Sequence, residues 1–195
     1  MKMMENSIQR AVDVLRRDGL IVYPTETVYG LGGDAFSDIA IDRVYEAKSR
    51  LRGKPISIAV SDMEMLACVA YVDDAAEQFI NRFLPGPVTV ILRAKQCLPA
   101  ELTGGTGMIG IRWPDHEIAL AIVRELDAPI TATSANISGD ISPRTISEVN
   151  VRHDFFVDGG ELPGTPSTVV DLQAKEIVRP GSELDEIVDF LLKMD

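Results

Sequence analysis

The side chains best suited to chemistry sit just beyond apolar runs. Thr25-Glu26-Thr27 follows Leu20-Ile21-Val22-Tyr23, and Arg112 closes Met108-Ile109-Gly110-Ile111. Thr133-Ser134-Ala135-Asn136 follows Ile130-Thr131-Ala132, and Arg179 closes Glu176-Ile177-Val178. Strand ends in α/β sheets are where ligands usually bind. One polar strand end is ordinary turn chemistry, whereas four can share a rim. A further stretch, Lys48 to Lys54, carries Lys48, Arg50, Arg52 and Lys54, four cations in seven residues. If the chain leaves a helix near Ser49 and extends, alternate side chains fall on one side. Such a row would grip a polyphosphate, arginine through forked donors and lysine as a point charge. Two plainer roles stay open. The cations would complement a helix macrodipole, for ~0.3–1 kcal/mol each, or form a solvated basic loop.

The stretch Thr131 to Gly139 is dense in small hydroxyls. Small side chains let backbone N–H groups reach an anion, and hydroxyls and the Asn136 amide add donors. Ser134 is a poor candidate nucleophile, because neither histidine, His116 or His153, sits in an esterase-like motif. Ser167 opens an apolar run after Gly164 and Pro166 and reads equally as a strand cap. Gly30, Gly32 and Gly33 formally match a dinucleotide fingerprint, but no helix follows until Ser37. Close backbone approach and positive φ in a bend is the expected use of these glycines. Cys68 and Cys97 are too few for a disulfide framework and too far apart for a Cys/His metal motif, so idle thiols are expected.

These residues need elements to position them. The chain of 195 residues is 46 % hydrophobic, enough for one full core, and at 6 % aromatic that core is mostly aliphatic. A net charge of −11 argues against a surface basic all over, as in a general nucleic-acid coat protein. Helical periodicity marks 5–19, 37–50, 73–86, 116–129 and 183–194. Strand-like runs mark 20–23, 55–60, 88–92, 107–114, 130–135, 154–160, 167–172 and 176–181, the last two as a hairpin. A short helix is expected near Thr145. The alternation implies an α/β fold with one mixed sheet. The N-terminus lacks a signal-peptide apolar region, and no run approaches the ~20 apolar residues of a membrane span. A cytoplasmic protein without membrane contact is expected.

Seven motifs now stand in one order: PTETVYGLG, AKSR followed by KPISI, GPVTVIL, IRWPDH, TSANISG, STVVD and VRPG. In that order the chain resembles the YrdC family of L-threonylcarbamoyladenylate synthases, from about Leu20 to Gly181. The resemblance implies a single YrdC-like domain over 1–195. It implies a twisted open mixed sheet flanked by helices, with a concave, positively charged pocket. It implies a reaction of L-threonine, bicarbonate and ATP, with Mg2+ carried on the ATP, giving threonylcarbamoyl-AMP and pyrophosphate. A downstream tRNA threonylcarbamoyl transferase complex would consume the product, and members are also described as binding double-stranded RNA or tRNA.

Residue by residue, the resemblance implies that Thr27, Arg112 and Ser167 meet threonine, Arg112 at its carboxylate. Lys48, Arg50, Lys54, Ser134, Asn136, Ser142 and Arg179 would meet ATP. Lys48, Arg50, Ser134 and Asn136, the family's Lys-x-Arg and Ser-x-Asn pairs, form the implied catalytic set. Two positions depart from the family pattern. Ala59 stands where some relatives use a histidine against threonine, and Met108 where relatives often place a hydroxyl facing the nucleotide. Glu26 is open between a base for the threonine ammonium and a structural acceptor. Two rival classes remain: a double-stranded RNA or tRNA-binding module without catalysis, and a carbamoyl-transfer domain of the hydrogenase-maturation kind.

Overall fold

The computed structural model describes residues 2–194. Helix α1 (Lys2–Leu15) leads through a turn, in which Gly19 N–H donates to the Val14 carbonyl, to β1 (Ile21–Tyr23) and β2 (Gly30–Gly32). Next come α2 (Asp38–Ala47), β3 (Ile58–Ala59), α3 (Met63–Val69), α4 (Asp74–Phe83) and β4 (Val88–Arg93). They are followed by β5 (Met108–Arg112), α5 (Glu117–Leu126), β6 (Ile130–Thr131) and β7 (Thr133–Ser134). The chain closes with β8 (Phe155–Phe156), β9 (Thr168–Asp171), β10 (Glu176–Arg179) and α6 (Leu184–Leu191).

Several helices begin where a short acceptor side chain satisfies an orphan N–H. Ser37, Asp62 and Asp73 each accept from the backbone N–H three residues on, opening α2, α3 and α4. The expected short helix at Thr145 is a 3-10 turn, Ile146–Glu148, opened by a capping box between Thr145 and Glu148. Helix α3 and strand β2 escaped the sequence reading. The first has seven residues without an opposed polar face, and the second is Gly-Leu-Gly.

The mixed, helix-flanked α/β character is as expected, but the strands divide over two sheets rather than one. The larger runs β10-β9-β4-β5-β3-β6 and the smaller β7-β2-β1-β8. The β9–β10 hairpin is antiparallel as expected, while β4–β9 and β3–β5 are parallel. The division falls inside the run 130–135, expected as one strand. There β6 joins the large sheet and β7 the small one, and between them Ala132 N–H donates to Ser57 O. The sheets are pinned at this corner, where Thr131 N–H donates to Gly33 O and the Thr131 hydroxyl accepts from Gly33 N–H. The glycines are also corrected. Gly30, Gly32 and Gly33 do not have positive φ; they lie where a Cβ at Gly30 or Gly32 would come within about 3.0 Å of the Tyr23 ring.

One apolar cluster runs from Leu20 to Ile187 and fills the space around β4, β5, α2 and α4. A second lies between α1, α5 and the other face of β1. The first cluster is mostly aliphatic, with one aromatic knot of Phe79, Phe83 and Phe190. This packing brings the ends of β1, β5, β7 and β10 and the end of α2 to one side.

Candidate functional site

A hollow of about 470 Å³ opens at those ends. All ten residues named from the sequence line it: Thr27, Lys48, Arg50, Lys54, Arg112, Ser134, Asn136, Ser142, Ser167 and Arg179. Five lining side chains are cationic, Lys48, Arg50, Lys54, Arg112 and Arg179, against one lining acid, Asp140. Cations thus outnumber acids in the lining of a chain whose net charge is −11.

The basic segment is built differently from the expected extended row. Helix α2 ends at Ala47, Lys48 is its C-cap, and Ser49 turns the chain with φ +49°. The turn sends Arg52 outward to Asp42 and over the Tyr45 ring. Lys48 points inward and is only 2 % exposed. Its ammonium donates to the carbonyls of Ser134 and Asn136, the latter at 2.6 Å. Two of its three donors are spent on backbone, and among the described residues no carboxylate pairs with it. Burial, with the Arg50 charge adding to it, lowers the Lys48 ammonium to about 8. Arg50 donates to Lys54 O and, at 2.7 Å, to Pro55 O. Burial holds its guanidinium below the ordinary arginine value.

The Ser-x-Asn turn is corrected in one respect. The Asn136 amide does not offer its N–H groups to an anion. Both are donated to backbone, at Ile137 O and Asp140 O, each at 2.9 Å. Its Oδ1 is buried without a partner. Asn136 thus holds the 136–140 loop closed and presents an acceptor.

At the opposite wall, Arg112 is 6 % exposed and donates to Glu26 Oε1 at 2.5 Å. The sequence reading left Glu26 open; here it is the carboxylate partner of Arg112. Close by, Arg179 donates to Ser167 O at 2.7 Å and Ser167 Oγ at 3.0 Å, and Ser167 Oγ meets Thr89 Oγ1 at 2.8 Å. Burial, then the neighbouring Arg112 charge, lowers the Arg179 guanidinium. Thr25 donates to Val28 O at 2.7 Å, and its hydroxyl oxygen lies 2.9 Å from that of Thr27. Since Thr25 has one hydrogen, Thr27 supplies the proton between them, and the lone pairs of Thr27 face donors from elsewhere.

Thr89 is a lining residue that the sequence reading did not single out, and Thr25, part of the polar strand end noted there, lines the hollow without having been given a role. Thr89 carried a signal, a hydroxyl between Val88 and Val90 in a strand otherwise apolar at that point. Of the two departures, Ala59 does line the hollow, while Met108 does not. Met108 sits at the far end of β5 and lines a second cavity, of about 320 Å³.

The fold and the site together define an α/β protein with a cationic, carboxylate-poor hollow suited to anionic small molecules. The chain belongs to the Sua5/YciO/YrdC family, whose model, described as "Telomere recombination", matches residues 13–181. It is 40 % identical to the threonylcarbamoyl-AMP synthase of Pyrococcus abyssi, over 94 % of this chain and 56 % of that protein. It is 35 % identical to the threonylcarbamoyl-AMP synthase of Escherichia coli K12, over 91 % of this chain and 100 % of that protein. It superposes on the crystal structure of P. abyssi Sua5 complexed with L-threonine with a TM-score of 0.86 at 37 % identity, covering 93 % of this chain and 57 % of that one. The chain thus spans little more than half the length of the Pyrococcus relative and matches the Escherichia relative over its full length. Among the described residues, no helix is long and apolar enough to cross a membrane.

Proposed function

We propose that the chain is an L-threonylcarbamoyladenylate synthase, acting as one domain over 1–195 with its motif-bearing part at about 20–181. Threonine's amine attacks bicarbonate-derived CO2 to give an N-carboxylate. That carboxylate attacks the α-phosphorus of ATP and expels pyrophosphate, and hydration water is released from the bicarbonate. No protein nucleophile is needed. The protein's contribution is to hold threonine, bicarbonate-derived CO2 and ATP together, neutralising the carboxylate and phosphates, and to stabilise charge developing at phosphorus.

One observation carries the reading: five cations and one acid line a single hollow, together with the hydroxyls of Thr27, Ser134, Ser142 and Ser167. In this reading Lys48, Arg50 and Lys54 hold the phosphates, with Arg179, Ser134, Asn136 and Ser142 at the nucleotide. Lys48, Arg50, Ser134 and Asn136 face the reacting atoms. Arg112 takes the threonine carboxylate, with Thr27 and Ser167 beside it. The lone pairs of Thr27 suit the threonine hydroxyl or ammonium. Mg2+ enters on the ATP as part of the substrate, and among the described residues no group of three or more His, Cys, Asp or Glu forms a resident cage. The product is a mixed anhydride, which a tRNA threonylcarbamoyl transferase complex would consume.

The test is purified protein with labelled bicarbonate, L-threonine and Mg-ATP. A labelled carbamoyl-adenylate formed only with threonine, together with pyrophosphate, is expected. Retention of tRNA without that product would replace this reading with the RNA-binding one.

A further inference from the structure

Cys68 and Cys97 are 29 residues apart, and both are exposed. The fold brings them together: the Cys97 thiol lies 3.5 Å from the carbonyl oxygen of Cys68 itself. A residue's Cβ lies within about 3–4 Å of its own carbonyl oxygen by covalent geometry, so the two side chains leave adjoining backbone. That adjacency is locked by the flanking residues. Tyr71 N–H donates to Arg93 O at 2.9 Å, and Lys95 N–H to Val69 O at 2.8 Å. Ala70 and Ala94 form a β-bridge, and the Lys95 ammonium reaches Ala67 O at 2.5 Å. Segments 67–71 and 93–97 are zipped before any covalent bond joins them, so only the side-chain rotamers of the two cysteines remain to be set for a disulfide.

We propose that Cys68 and Cys97 are a modification site that closes as a reversible intrachain disulfide by exchange with a low-molecular-weight disulfide of the glutathione type. Cys97, on a turn, gives up its proton and attacks one sulfur of the small disulfide. An S–S bond forms to Cys97 and one small thiolate leaves. Cys68 gives up its proton and attacks the Cys97 sulfur, forming the internal bond and expelling the second small thiolate. Two cysteines are oxidised, one small disulfide is reduced to two thiols, and the two protons are taken up by the leaving thiolates.

The staple would tie α3 to the strap that follows β4. That strap leads to the 3-10 turn Ala100–Thr103, whose Leu102 carbonyl accepts from Ile56 N–H at 2.9 Å. The Glu101 carbonyl accepts from the Tyr45 hydroxyl, also at 2.9 Å. The same hydroxyl contacts Lys54 O, so the strap abuts the loop that carries Arg50 and Lys54.

The experiment equilibrates the reduced chain with excess oxidised glutathione and reads free thiols, intact mass and Tm. Loss of both thiols per chain is expected, with a mass lower by two hydrogens and no retained glutathione. Closing a loop of this length should raise Tm by about 5–10 °C, reversibly with dithiothreitol. Cys68→Ser and Cys97→Ser should each keep one glutathione and lose the Tm rise. Persistence of both thiols, glutathione on both cysteines of the unaltered chain, or disulfide-linked dimers would overturn the proposal.

Discussion

Arginines at the surface and cations in the hollow are treated in opposite ways. On the surface Arg43 pairs with Asp154, Arg52 with Asp42, Arg82 with Glu186 and Arg144 with Glu161. In the hollow Lys48 and Arg50 bond to main-chain carbonyls, and Arg179 to a carbonyl and a hydroxyl. Acid is not scarce, with 30 Asp and Glu against 19 Lys and Arg. Carbonyl dipoles fix the direction of a cation without cancelling its charge, so these cations stay unpaired by carboxylates, as the proposed anion site requires. Arg112 is the exception among the buried cations, and its partner Glu26 marks it for a different duty.

The strongest test sets Arg50 against Arg52, two residues apart and facing opposite ways. Arg50→Ala should lower threonylcarbamoyl-AMP formation at least ~100-fold if, as proposed, Arg50 stabilises developing phosphate charge. Arg52→Ala removes an exposed ion pair and a cation–π contact with Tyr45, both outside the hollow, and should change the rate less than ~2-fold. Both should keep Tm within ~2 °C, since neither side chain lies in the core. Equal rates from the two variants would erase the distinction between hollow and surface.

Arg112 gives the next largest effect. Arg112→Ala should raise the KM for threonine ~10–100-fold, the worth of a charge-assisted hydrogen bond, with the KM for ATP little changed. It also strands Glu26, whose side chain is only 17 % exposed, so Tm should fall. Arg112→Ala combined with Glu26→Gln should recover Tm but not the KM. Recovery of neither would mean the pair is not what holds this wall.

These tests also mark what the sequence made legible. The ten named residues share one hollow because strand ends of both sheets, the end of α2 and the loops beside them open on the same side, and the motifs that mark those places were readable one by one. What stayed hidden was direction. Nothing in Lys48 to Lys54 says that Ser49 adopts φ +49° and throws Arg52 outward. Nothing in Ser134-Ala135-Asn136 says that the Asn136 amide is spent on its own loop. The fold was legible where periodicity is long, as in α4, β4 and the β9–β10 hairpin. It was not legible at Ala132, where one residue passes the chain between sheets and no residue type encodes the exchange.

Lys48 offers a pH test. Its ammonium is lowered from 10.5 to about 8, chiefly by burial. Above pH 8 the folded chain gives up this proton while the unfolded chain keeps it until about 10.5, so the unfolded state binds more protons in that window. The cost of burying the charge is present in full below pH 8, and the Lys48 contribution to stability therefore rises from pH 8 upward. Function should run the other way. ATP affinity should fall up to ~10-fold between pH 7 and 9 as the charge that meets phosphate is lost. Lys48→Met should flatten that pH dependence, and an unchanged profile would remove Lys48 from phosphate binding. Lys48→Ala is a poorer probe of turnover than Arg50→Ala, because it also frees the Ser134 and Asn136 carbonyls and should lower Tm.

The smallest effect belongs to the surface pair Arg82–Glu186, 3.0 Å apart with both side chains about 60 % exposed. Such a pair gains little Coulomb energy in water and gives up side-chain freedom, so its coupling should be ~0.2–1 kcal/mol in a double-mutant cycle. Salt should weaken it further, since exposed charges are screened over a Debye length of ~8–10 Å. The synthase rate of Arg82→Ala should match the unaltered chain. A coupling above ~2 kcal/mol would mean that exposure does not separate structural from functional cations here, and that the hollow's unpaired charges need another explanation.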